Sequence, residues 1–187
     1  MHYSGQNLQS CIGFEASIIQ KTIQTSNLAI FSSMGLRIEL LKSCPHTIPI
    51  LAEWTYKEWH SYDASLTKGK LIDRLNNRLH DDKIPFTVVV FRGDVPVGTV
   101  SLKKQYAPEF LCLAADSSWL GSLEVVPGER GKGLGEELLK LAKKLAKNLG
   151  YKSIFLYMSN LSNLDWYYKR EAVFVESQIF RNHNIVI

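Results

Sequence analysis

The run Val125-Val126-Pro127-Gly128-Glu129-Arg130-Gly131-Lys132-Gly133-Leu134-Gly135 constrains this chain more than any other stretch. A strand that meets Pro127 ends there, because proline has no N–H for a ladder and fixes its own φ. Glycines at alternate positions 131, 133 and 135 then make a turn. Beyond them Leu134, Leu138, Leu141, Ala142, Leu145 and Leu149 recur at helical spacing, and Lys140, Lys143, Lys144 and Lys147 fall on the opposite face. Gly150 supplies a C-terminal stop. The segment therefore predicts a strand, a glycine turn and a long amphipathic helix with a solvated basic face.

Such a turn suits phosphate. The first turn of a helix has unpaired N–H groups and partial positive charge, and glycine leaves that backbone uncovered. Arg130 and Lys132 add full charges. Two familiar phosphate loops do not fit. A P-loop needs Ser or Thr after its lysine, and here Lys132 is followed by Gly133. A dinucleotide fingerprint needs Gly-x-Gly-x-x-Gly early in a βαβ unit, with an acidic residue about 20 residues on. A turn that merely lets the helix pack closely on a sheet remains the structural alternative.

The other elements follow from periodicity. Leu36 to Leu41 predicts a first strand. A helix begins near Thr47 with Pro49 in its first turn, placing Leu51, Trp54, Thr55 and Trp59 on one face. A second begins near Thr67, with Leu71, Ile72, Leu75 and Leu79 as its stripe. Phe86–Phe91 and Val95–Leu102 read as a hairpin about Arg92-Gly93-Asp94. Residues 105–118 read as a loop, Trp119–Val126 as a strand, Ser153–Met158 as another, and Leu161–Arg170 as a short helix. Val173–Val175 and Asn184–Ile187 are candidate closing strands. The order β-α-α-β-β-β-α-β-α-β-β indicates a mixed α/β or α+β sheet with helices on both faces.

A chain of 187 residues, 45% hydrophobic, fits one domain with a sizeable core. The net charge of +4 is spread out, so nothing requires nucleic acid as a partner. Cys11, Cys44 and Cys112 lack metal or disulfide spacing, which points to a reducing cytoplasm and to no metal. No apolar run is long enough for a membrane span, so no membrane partner is expected. Residues 1–35 read as an N-terminal extension, in which Ile18, Ile19, Ile23, Leu28, Ile30 and Phe31 can still form an accessory helix and a packing segment.

Arg130-Gly131-Lys132-Gly133-Leu134-Gly135 fits the Arg/Gln-x-x-Gly-x-Gly/Ala signature, and the chain resembles the GNAT superfamily of acetyl-CoA-dependent N-acetyltransferases from roughly Leu36 to the C-terminus. The resemblance implies a GNAT-type acyl-CoA N-acyltransferase fold over 36–187, with a mostly antiparallel central sheet. It implies acetyl-CoA as co-substrate. Its diphosphate would meet Arg130, Gly131, Lys132, Gly133, Leu134, Gly135 and Glu136, and its pantetheine the backbone of a bulged strand at Leu123, Glu124 and Val125. It also implies an asparagine that touches the cofactor at Asn160 and, seven residues on, a general acid at Tyr167. A buried aromatic that pins the helix is the plainer role for Tyr167. Glu124 is the leading general base, against a backbone-only role, with Asp116, Glu109 and His60 in reserve.

The family's ending, Tyr-x-Lys/Arg-x-Gly-Phe/Trp, is altered to Tyr167-Tyr168-Lys169-Arg170-Glu171-Ala172. Glu in the left-handed turn that glycine normally takes costs about 1 kcal/mol. The resemblance implies direct transfer of acetyl to a primary amine of a small molecule, peptide or protein. The acceptor region would comprise Trp54, Trp59, His60, Tyr62, Asp63 and residues 105–118. A homodimer is compatible with this reading. The altered ending keeps a weak or inactive CoA-binding regulatory module as the alternative, and a different phosphate ligand as a third.

Overall fold

The computed structural model describes residues 18–24, 28–104, 116–158, 161–180 and 183–187. Asn160 and Glu109, and most of the segment 105–118, lie outside these residues. The described chain forms helices α1 (residues 18–24), α2 (Leu28–Ser33), α3 (Ile48–Trp59), α4 (Lys68–Asn76), α5 (Leu134–Asn148) and α6 (Leu164–Tyr168). Its strands are β1 (Arg37–Leu40), β2 (Phe86–Arg92), β3 (Val95–Lys103), β4 (Ser117–Val125), β5 (Ser153–Phe155), β6 (Ser177–Phe180) and β7 (His183–Val186).

The sheet runs β1-β2-β3-β4-β5, antiparallel except for the β4/β5 pair. The fold is therefore a mixed, mostly antiparallel sheet with helices on both faces, as the resemblance implies. β6 and β7 form a hairpin, joined to the chain after β5 by a bridge between Met158 and Val186. Several details differ from the sequence reading, among them β5, which stops at Phe155 instead of Met158, and α6, which spans Leu164–Tyr168. β4 starts at Ser117, and the penultimate strand is Ser177–Phe180, while Val173, Phe174 and Val175 are exposed non-strand residues. β-branched and aromatic propensity favours an extended chain at 173–175, but pairing with β7 decides where the strand forms.

β2 shows why helices cover both faces. Successive strand side chains point to opposite faces. Val88 and Val90 enter one core with the stripe of α5, whereas Val89 and Phe91 enter a second with Leu51 of α3 and Leu71 and Leu75 of α4. Helix α4 starts at Thr67, whose side chain accepts from the Lys70 N–H at 3.2 Å. Helix α5 sits tightly on β3. A Cβ at Gly98 would meet Leu138 Cδ1 at 3.2 Å and Leu134 Cδ2 at 3.3 Å.

Helices α1 and α2 lie within the segment read as an extension, yet Ile19, Ile23 and Phe31 are buried in the α5 core. Asn148, at the end of α5, donates to Thr22 Oγ1 at 2.8 Å. No helix of the described residues is long and apolar enough to cross a membrane. Phe31→Ala should destabilise the whole domain by about 3 kcal/mol, because the ring is fully buried. A urea titration followed at the tryptophans checks this, with a lower midpoint and an unchanged slope expected.

Candidate active site

One residue too many in β4 shapes the site. The register of β3 against β4 passes from Thr99↔Glu124 to Ser101↔Gly121. Ser122 and Leu123 therefore stand opposite Val100 alone. Ser122 takes φ 50°, a left-handed conformation that a non-glycine residue adopts only under constraint. The parallel pairing of β4 with β5 covers only Ser117–Trp119 against Ser153–Phe155. Past that point the two segments separate, and Gly121–Val126 face Leu156, Tyr157 and Met158 across a cleft of about 1580 Å³.

Glu124 projects from the strand just past the bulge and lines this cleft. Thr55 Oγ1 on α3 donates to Glu124 Oε1 at 2.8 Å. Burial pushes the Glu124 carboxyl up to about 7 from 4.5; the Thr55 hydrogen bond opposes the shift, the Glu58 charge adds to it, and Arg78 and Arg130 draw it down.

The turn after β4 has the predicted form. Gly131 and Gly133 adopt φ 74° and 86°, and a Cβ at either would project into open space. Gly133 is the N-cap of α5. The helical ladder begins where the Glu136 and Glu137 N–H groups donate to Gly133 O at 3.0 and 3.1 Å, so the Leu134 and Gly135 N–H groups precede it. The turn is anchored by Glu129, which accepts from Arg92 Nε at 2.8 Å and Nη2 at 2.9 Å. That bidentate pair holds the Glu129 carboxyl below its usual range.

The candidate residues are not equivalent. Leu123, Glu124, Val125, Arg130, Gly131, Gly133, Gly135, Glu136 and Tyr167 all line the cleft. Arg130 turns back, its Nε donating to Val125 O at 2.9 Å. Lys132 instead pairs with Glu129 at 3.4 Å. The Leu134 side chain is buried in the core, so its only contribution to the turn is backbone. His60 keeps Nδ1 at 2.8 Å from Tyr56 O at the end of α3, and Asp116 pairs with Lys152 at 2.8 Å.

Helix α6 is clamped to the start of α5. The Trp166 ring lies 3.6 Å from where a Gly135 Cβ would stand. Arg170 stacks on that ring at 4.1 Å and reaches Glu136 Oε2 at 2.6 Å. Tyr167 is thereby set into the cleft, edge-on to Trp166 at 4.8 Å, and burial pushes its phenol up to about 12. Glu171 takes the left-handed turn itself, at φ 70°, and the Ala172 N–H closes on Tyr167 O at 3.2 Å. Lys143 secures it, donating to Glu171 Oε2 at 3.0 Å and Arg170 O at 2.8 Å.

Three partners escape a linear reading: Thr55, Arg92 and Arg170 meet their targets across separations of 69, 37 and 34 residues. Only the periodicity that put Thr55 on the inner face of its helix was a signal.

The chain belongs to the acetyltransferase (GNAT) family, whose model matches residues 47–171. It is therefore an acyltransferase that transfers acetyl groups. No curated protein sequence matches it. Several solved structures share its fold. A GCN5-related N-acetyltransferase from Ralstonia eutropha JMP134 is 19% identical, with 77% of this chain and 96% of that one covered at a TM-score of 0.57. Glucosamine-6-phosphate N-acetyltransferase from Arabidopsis thaliana is 17% identical, covering 78% and 96% at 0.55. The aminoglycoside N-acetyltransferase AAC(6')-Iy, solved in complex with CoA, is 13% identical, covering 76% and 90% at 0.56.

The raised Glu124 value has a thermodynamic consequence. The folded state binds this proton more tightly than the unfolded chain, so the stabilisation is complete below about 4.5 and lost as pH rises through about 7. Glu124→Gln should remove that part of the pH dependence, seen as a flatter profile of urea midpoints between pH 4.5 and 7.

Proposed function

We propose that this protein is an N-acetyltransferase that moves acetyl from acetyl-CoA directly to a primary amine in a ternary complex. The observation that carries the reading is the bulge at Ser122, which turns Glu124 into a cleft that Tyr167 and the glycine turn also line. The CoA complex of the aminoglycoside enzyme, on the same fold, supports the choice of donor. The open space over Gly131 and Gly133 fits a diphosphate, which the backbone N–H groups ahead of the α5 ladder would hold. Arg170, beside Gly135 and Glu136, adds a cation at that end of the cleft that sequence reading did not single out.

The pantetheine would lie along the freed edge of β4 at Leu123–Val125, where strand-like pairing supplies recognition without side chains. A backbone N–H there would stabilise the oxyanion that forms on the thioester carbonyl. Glu124, with its carboxyl poised near 7, takes a proton from the incoming ammonium, directly or through a water. The amine nitrogen bonds to the acetyl carbon, the carbon–sulfur bond breaks, and Tyr167 gives its proton to the departing thiolate. A phenol held at about 12 stays protonated throughout the working range, as a donor must. The retained turn at Glu171 keeps Tyr167 in the cleft, which favours an active enzyme over a CoA-binding module.

Thiol release from acetyl-CoA, measured over an amine panel, tests this reading; CoA binding without release from any amine would overturn it. With a productive amine, kcat/KM should rise with pH to a plateau above about 7, and Glu124→Gln should lower it about 100-fold and abolish that limb. Tyr167→Phe should cut kcat about 100-fold while sparing CoA affinity. Gly133→Asp should remove CoA binding, because its side chain fills the open turn and puts like charge beside the diphosphate.

A further inference from the structure

Beyond Glu124, away from the glycine turn, the cleft wall is built of cations that the transfer chemistry leaves unused. Arg78 follows α4, and its Nη1 donates to Ser101 Oγ at 3.1 Å and to Ser122 Oγ at 3.0 Å. Ser101 Oγ in turn lies 2.7 Å from Thr87 Oγ1, so three hydroxyls fix the guanidinium against the bulge. Lys103 comes from the end of β3. Its ammonium rests directly on Gly121, where a Cβ would collide with both Cε and Nζ. Only a residue without a side chain lets the amine sit there. Arg74 stands one helical turn before Arg78, and all three cations line the cleft with Glu124.

We infer that the acceptor is an anionic amine, a primary amine whose molecule also carries a phosphate or carboxylate, and that this anion docks on Arg78, Arg74 and Lys103 while the amine meets Glu124. The inference rests on the N-acetyl transfer reading and supplies its substrate class. The Arg78 and Arg74 guanidiniums crowd the Lys103 amine. The Lys103 ammonium is driven well below the usual lysine range by burial and then by the charges of Arg78 and Arg74, with Glu124 the opposing influence. Glu58 and Asp63 also face the cleft, from α3 and the residues after it. A bound anion relieves the repulsion among the cations and accepts charge-assisted hydrogen bonds from a guanidinium already oriented by Ser101 and Ser122.

This site is not the diphosphate's. Across the bulge, Gly121 to Val125 runs alongside Ser101 to Gly98 of β3, about 10 Å at 3.3 Å per residue, and the glycine turn lies further on. The anion pocket and the phosphate turn thus flank Glu124 from opposite ends of the half-buried segment of β4. A substrate bound at the first presents its amine toward the second.

Matched amines test the assignment: O-phosphoethanolamine against ethanolamine, tyrosine against tyramine, and glucosamine 6-phosphate against glucosamine. We expect the anionic member of at least one pair to have the higher kcat/KM by about tenfold or more. Arg74→Gln should raise the KM for that acceptor about tenfold, with kcat and CoA affinity little changed; Arg78→Gln should raise it at least as much and lower kcat too, because Arg78 also holds Ser122 at the bulge. Preference in every pair for the member that lacks the phosphate or carboxylate would overturn the anion site and leave acetyl transfer standing. If no amine releases thiol, the transfer reading itself falls, and inorganic phosphate titrated calorimetrically into the CoA-saturated protein then decides the site. Binding that both arginine variants lose upholds it; no binding, or binding the variants retain, overturns it.

Discussion

The bulge at Ser122 is the constraint on which the cleft depends. Leu120 packs into the α5 core, and Gly121 faces the α3 and α4 side. Strict alternation would next send Ser122 to the α5 core, Leu123 to the polar side and Glu124 into apolar packing. The extra residue absorbs one step. Leu123 and Val125 then pack against the α5 core, and Glu124 turns to Thr55. β4/β5 pairing has already ended at Trp119, so the backbone beyond it is left to line the cleft.

The turn and the last helix are held by charge placed at their edges. Arg92, at the end of β2, fixes Glu129 by two parallel bonds and so fixes where the glycine turn begins. Arg170 joins Glu136 to Trp166 and so fixes where Tyr167 enters. These pairs are partly exposed, and their value lies in geometry more than in free energy. The buried carboxyl of Glu124 is different. Its desolvation raises its affinity for a proton, which costs stability in the ionised form and gives a base poised near neutrality.

Much of this was legible because local chemistry dictated it. Pro127, the alternate glycines and the leucine stripe of α5 each impose a backbone state through φ, missing donors or helical period. The departure at Glu171-Ala172 was legible as a strain, and the chain takes that strain at φ 70° with Lys143 beside it. The closing strand was misplaced at 173–175 because apolar composition there does not reveal which residues find a partner in β7. Likewise, the apolar residues between 18 and 31 read as an accessory helix and a packing segment, but which core they join is settled only by tertiary contact, where Ile19 and Phe31 complete the principal one.

By itself the sequence determined the strand–turn–helix around residues 125–149, the mixed order of elements and membership in a family of acetyl-transferring enzymes. Tertiary structure alone decided which charges meet. Thr55 reaches Glu124, Arg170 reaches Glu136, and Arg78 and Lys103 converge on Gly121 and Ser122. The reason is physical. Turns and helices are set by forces between near neighbours in the chain, whereas a desolvated carboxyl or a crowded cation exists only after distant segments have closed around it.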